Sequence, residues 1–183
     1  MDVRITGGSK FQREVVYKVI GWTIRRLKLS RMSSLDIHVI LRKLREVDGY
    51  CSMEDDERRI FSIEIHKSLK LRQLIMTLIH EMVHVKQFAR NEMDDFPING
   101  RHRWKSGTVP KNVTYYDMPW EKEALRLQEK LTDEFWREDQ YEKNYKTNFD
   151  SIVSIINCNC QCSNNGVFHR ARFRPTTFDR YQW

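Results

Sequence analysis

From Leu69 to Arg90 the chain runs without a proline or glycine, and Leu71, Leu74, Ile75, Leu78, Met82 and Val85 recur along it at helical spacing. That pattern commits the segment to one amphipathic helix whose apolar stripe has to lie on a core. Counting about 100° per residue from Leu71, the stripe centres near roughly 0°, whereas His80 and His84 fall near about 180° and 220°. One face anchors the helix and the other presents two imidazoles.

The surrounding residues predict an α+β domain. Residues Phe11 to Leu27 set Val15, Val16, Val19, Ile20, Trp22 and Ile24 among Lys and Arg, the pattern of an amphipathic helix. Asp36 to Leu41 and Ile60 to His66 are short and β-branched and read as strands, with Gly49 to Met53 as a third between them. Asn91 to Met118 collects Pro97, Gly100, Gly107 and Pro110, which marks a long loop of the kind that borders functional sites. Pro119 suits a first helical turn, so a second helix is expected through Glu121, Ala124, Leu127 and Leu131 to Arg137, with Asp117 placed to help cap it. These elements bound a domain over residues 1–137. Residues 138–183 read as a C-terminal extension: a charged stretch to Lys146, an apolar patch Ile152 to Ile156, a cysteine cluster and a basic aromatic end.

Composition narrows the setting. A chain of 183 residues, 40% of them hydrophobic, can bury one real core. The longest apolar run, Leu74 to Ile79, is far short of the roughly 20 residues of a membrane span, and the N-terminal residues lack the apolar stretch of a signal peptide. No membrane partner and a cytoplasmic setting are therefore expected. Cys51, Cys158, Cys160 and Cys162 are bunched three to one end, unlike the framework of a disulfide-stapled secreted domain. The net charge of +7 favours acidic partners or weak nucleic-acid contact, but it is spread along the chain and marks no dedicated surface.

The chemistry lies in His80-Glu81-Met82-Val83-His84. Residues four apart on a helix differ by about 40° around the axis and about 6 Å along it, so both imidazoles reach one tetrahedral zinc ion. Glu81, about 100° from His80, stands beside the metal, where its carboxylate can take a proton from water. A catalytic zinc site uses three protein ligands and leaves a position for water. The candidates for the third ligand are His102 in the loop, and Glu121 and Glu123, which flank the apolar stripe of the following helix on opposite sides.

His80-Glu-Met-Val-His84, followed after a Trp-Lys-Ser-Gly loop by Tyr-Asp-Met-Pro-Trp-Glu-Lys-Glu-Ala (Tyr116 to Ala124), resembles a group of small phage and bacterial zinc metallopeptidases. These are minimal zincins of the SprT-like and ImmA/IrrE-like kinds, and the resemblance covers roughly Asp36 to Leu131. In the glutamate-type zincins the third ligand is a Glu on the helix after the active-site helix, commonly followed by Ala. By that match Glu123, before Ala124, is the preferred ligand and Glu121 the reserve; a SprT-like third His would be His102. The resemblance implies an N-terminal helix, a small, mainly antiparallel three-stranded sheet, the metal-binding helix and a second, ligand-bearing helix. It also implies one zinc ion and hydrolysis of a protein or peptide substrate by a Glu81-activated water, in the host cytoplasm if the chain is phage-encoded. The alternative is a zinc-containing regulatory or DNA-associated binding module without peptidase activity.

Further residues carry narrower expectations. Tyr115, Tyr116, His102 and Arg103 are near enough in sequence to supply a donor for a developing oxyanion. The strand ending at His66, if it lies at a sheet edge, would pair with an extended peptide. Cys158-Asn-Cys-Gln-Cys162 has one-residue spacings unlike those of structural zinc, and a fourth ligand would have to be His169 or Cys51, so these cysteines read as thiols. The tail from His169 to Trp183 interleaves arginines with Phe173, Phe178, Tyr181 and Trp183, a composition able to stack on single-stranded nucleic acid.

Overall fold

Alternation sets the sheet. In β2 (Asp36–Arg42) the side chains of Ile37, Val39 and Leu41 are buried and their neighbours are less so. In β4 (Ile60–His66) Phe61, Ile63 and Ile65 are fully buried, with Ser62 also covered. A computed structural model, which describes residues 1–32, 34–54, 59–93, 101–110 and 112–138, joins these strands with β1 (Asp2–Gly7) and β3 (Gly49–Met53). The strand order is β1-β2-β4-β3.

This sheet differs from the three-stranded, mainly antiparallel one that the resemblance implies. It has four strands, and two of its three pairings, β1 with β2 and β2 with β4, are parallel; β3 with β4 is antiparallel. The cause of the first parallel pairing is the helix α1 (Lys10–Arg26), which connects β1 to β2 as a crossover. The extra strand carries a period-2 signal of its own, Val3 and Ile5 between Asp2, Arg4 and Thr6, which the sequence reading leaves unassigned. β4 lies between β2 and β3, as the most buried strand should, so the strand ending at His66 has no free edge. The edges are β1 and β3.

Two of the three α-helices among the described residues, α1 and α2 (Leu71–Ala89), pack on this sheet. α1 starts with a capping box, in which the Gln12 amide N–H donates to the Ser9 hydroxyl and the Ser9 N–H to the Gln12 side chain. It buries Val15, Val16, Val19, Ile20 and Ile24. α2 buries Leu74, Ile75, Leu78, Met82 and Val85 as the periodicity predicts. The face that presents the imidazoles is buried too: His80, Glu81 and His84 are only 4%, 3% and 8% exposed.

The loop from Asn91 to Met118 is described in part. Arg103–Trp104 (β5) and Gly107–Thr108 (β6) form a small antiparallel hairpin, and Tyr115–Asp117 makes a 3-10 turn. α3 (Pro119–Glu138) follows; Asp117 before it pairs with Lys122 at 2.9 Å and accepts from the Thr114 hydroxyl at 2.8 Å. Met1 to Thr132 belongs to one compact unit and the end of α3, Asp133 to Glu138, to another. No helix among the described residues is long and apolar enough to cross a membrane. The expectations for Ile152 to Ile156, for Cys158, Cys160 and Cys162, and for the tail from His169 to Trp183 lie outside the described residues.

Candidate metal centre

The helical spacing of His80 and His84 brings their rings to 4.8 Å between centroids at 80° to each other, with the two Nε2 atoms 3.1 Å apart. α3 supplies the third group. Glu121 Oε1 lies 3.3 Å from His84 Nε2, and Glu121 Oε2 lies 3.5 Å from His80 Nε2. Ligand atoms of His80, His84 and Glu121 all fall within 4.8 Å of one another, and among the described residues these three form the cluster suited to a metal ion.

The geometry fits an ion. Ligand atoms about 2.0–2.1 Å from a tetrahedral centre sit roughly 3.4 Å apart, close to the separations here. Glu121 is 1% exposed, and its Oε2 has no hydrogen-bond partner, which a buried carboxylate oxygen does not tolerate cheaply. A cation between the three side chains would satisfy it.

Two glutamines orient the imidazoles. Gln128 Oε1 lies 2.8 Å from His80 Nδ1, and Gln87 Oε1 lies 2.8 Å from His84 Nδ1. An Nδ1–H that donates outward leaves each Nε2 with its lone pair facing the cluster, the tautomer that binds metal. Sequence reading overlooks both glutamines. A signal exists: Gln87 follows His84 by three residues, and Gln128 follows Glu121 by seven, so each shares a helix face with a ligand candidate.

Electrostatics divide the four central groups. Burial pushes the Glu81 carboxyl up to about 7; nearby His80 and a hydrogen bond from the Cys51 backbone oppose that, while the charge of Glu121 adds to it. Burial lowers His84 to about 4, outweighing the pull of Glu121. Burial also disfavours the charged forms of His80 and Glu121, but their mutual contact, with further help from Gln128, His84 and Tyr115, leaves His80 raised and Glu121 lowered.

Glu123, the ligand preferred from the resemblance, is placed elsewhere. Its Oε2 accepts from Lys86 Nζ at 2.7 Å and from Gln87 Nε2 at 3.0 Å, and its Oε1 from Lys105 Nζ at 3.3 Å. Two residues along a helix is about 200° of rotation, so when Glu121 faces the histidines, Glu123 faces away from them. His102 packs edge-on against Trp120, 5.3 Å between ring centroids, and is not part of the cluster. Of the donor candidates, Tyr115 hydrogen-bonds to Glu121, whereas Tyr116 is 50% exposed and stands edge-on to Tyr115. Arg103 is tied to Asn91 through Nη1 and Nη2 at 2.9 and 2.7 Å. No protein family matches this chain, and no curated protein or solved structure does either.

Proposed function

We propose that this chain is a zinc-dependent metallopeptidase in which His80, His84 and Glu121 hold one zinc ion and Glu81 is the general base. The observation that carries this reading is the convergence of those three ligand groups beside a buried Glu81 whose pKa is raised to about 7. Two imidazoles and one carboxylate are a donor set that suits zinc. The reading includes the resemblance to minimal zincins, a peptidase domain over residues 1–137, a cytoplasmic setting and a peptide or protein substrate.

Bound zinc would supply Lewis acidity, polarising a carbonyl and acidifying water. The protein groups do the rest. Burial makes the Glu81 carboxylate a stronger base than an exposed one, which suits it to accept a proton from water and return it to a leaving amine. The neutral His84 keeps a lone pair on Nε2 at that pH. Tyr115, bonded to Glu121, is a hydroxyl donor for a developing oxyanion.

The sheet supports a peptide substrate. The Glu54 N–H donates to Ile60 O and the His66 N–H to Asp48 O, so the even-numbered residues of β3 bond to β4 and the backbone groups of Gly49, Cys51 and Met53 point away from it, to the edge that no described strand covers. On that edge Cys51 meets Glu81. An extended peptide added to β3 through Gly49 and Met53, with Cys51 kept on Glu81, would run past the base, which moves the strand-addition expectation from His66 to this neighbouring strand. Peptides broken by proline at the paired positions should then be cut far more slowly than ordinary ones.

One observation favours the alternative, a zinc-containing regulatory or DNA-associated module without hydrolysis: His80, Glu81, His84 and Glu121 are all buried. Metal content and peptide cleavage separate the two. The peptidase reading expects about one zinc per chain, lost in His84→Ala and Glu121→Ala, and cleavage abolished in Glu81→Gln with its zinc retained. Stoichiometric zinc with no cleavage of any peptide mixture would leave the module; absence of zinc after supplementation would remove both.

A further inference from the structure

Gln87 is wholly buried, and its side-chain amide has three polar neighbours. Nε2 donates to the Trp120 carbonyl at 3.0 Å and to Glu123 Oε2 at 3.0 Å, and Oε1 lies 2.8 Å from His84 Nδ1. A carbonyl and a carboxylate only accept, so they consume both amide hydrogens and forbid the flipped amide. Oε1 is then forced towards His84, where it can only accept. His84 Nδ1 has to carry the proton, and Nε2 is left bare towards His80 and Glu121.

We propose that Glu123 acts through Gln87 to fix the metal-binding tautomer of His84, which makes both of them positioning residues of the metal centre. This inference rests on the metal-site reading above. Glu123 is itself held from two sides. Lys86, only 7% exposed, bonds to it at 2.7 Å and to Glu92 at 2.8 Å, and Lys105 reaches it at 3.3 Å from the turn between β5 and β6. A lysine that is nearly buried is tolerable only with such partners, and removing one of them leaves its charge exposed to a poor dielectric. The chain of contacts therefore runs from the β5–β6 turn through Glu123 and Gln87 to His84. It explains why a Glu at this position is kept off the metal: its charge is needed by two lysines and an amide.

The test combines the tautomer of His84, read from imidazole ¹⁵N shifts in metal-free protein, with zinc affinity by chelator competition in wild type, Gln87→Leu, Glu123→Leu, Glu123→Gln and Glu121→Gln. Wild type should show the Nδ1–H tautomer at His84. Gln87→Leu and Glu123→Leu should shift that tautomer and weaken zinc binding by about 10- to 100-fold, the usual effect of losing an outer partner of a ligand. Glu123→Gln, which still offers an oxygen to the amide, should recover most of that loss, and Glu121→Gln should bind far more weakly than any of them. An Nε2–H tautomer in wild type, or Glu123→Leu with wild-type tautomer and affinity, overturns the proposal. So does Glu123→Gln as damaging as Glu121→Gln, the result expected of a direct ligand. Failure of wild type to bind zinc would instead sink the metal reading, and the His84 tautomers of wild type and Glu123→Leu, which need no zinc, would still decide the relay.

Discussion

Glu81 and His84 occupy one buried pocket, and burial moves them in opposite directions because it always disfavours the charged form. In metal-free protein, Glu81 goes from an ordinary 4.5 to about 7, so the folded chain holds an extra proton between those values and loses stability as pH rises through them. His84 goes from 6.5 to about 4, so the folded chain holds one proton fewer there and loses stability as pH falls. Between about 4.5 and 6.5 the two slopes, each up to about 1.4 kcal/mol per pH unit, cancel. Glu81→Gln removes one of them. Its stability in chelator should fall relative to wild type as pH is lowered across that window, as read from urea midpoints at pH 6.5 and 5; parallel curves for the two proteins would refute the opposed shifts. At this scale the convergence of His80 and His84 is legible from spacing alone. The choice between Glu121 and Glu123 is not, because it depends on the rotation of α3 about its own axis, which α2 and the lysines at positions 86 and 105 set across long sequence separations.

At the scale of elements, α2 lies close enough to β3 for Glu81 to meet the Cys51 backbone, and Gly49 permits that approach. A Cβ at Gly49 would come within 2.7 Å of Thr77 Cγ2, 2.9 Å of Ile65 Cδ1 and 3.1 Å of the Glu64 carbonyl. Thr77 is wholly buried one helical turn before Glu81, so it has nowhere to retreat. Alanine in a strand gains about 0.5–1 kcal/mol over glycine in backbone entropy, but overpacking of this kind costs roughly 1–3 kcal/mol, so Gly49→Ala should be net destabilising. Thermal melts of Gly49→Ala and Gly49→Val check it, with the valine variant lower; a melting point at or above that of wild type in both would show that β3 can move without loss. The three helices and the strands from Asp36 to Leu41, Gly49 to Met53 and Ile60 to His66 are legible because each carries its own periodicity. Strand order is not, since β3 stands as near in sequence to β2 as to β4 yet pairs with β4 alone of the two.

For the whole molecule, the consequence is a helix tied on by polar side chains as well as by its buried Trp120, Ala124 and Leu131. α3 meets α2 through His80 with Gln128, His84 with Glu121, and Lys86 and Gln87 with Glu123. Two of these four links run through groups that would hold the ion. A metal at the centre would then crosslink α2 to α3, and its binding free energy would appear as folding stability, because the unfolded chain has no such site. At free zinc a thousandfold above the dissociation constant the gain is about 4 kcal/mol. For a chain of this size, each kcal/mol moves the melting point by roughly 2–4 °C, so a chelator should lower it by about 8–16 °C and zinc should restore it. Hydrogen exchange locates the effect: without metal, the amides of α3 from Trp120 to Thr132 should lose protection first, while those of β2 and β4, which lie inside the sheet, keep theirs. Uniform loss of protection across sheet and helices would mean that the ion supports the whole core, and an unchanged melting point would mean that the side chains of α3, its buried Trp120, Ala124 and Leu131 included, hold it in place without the ion.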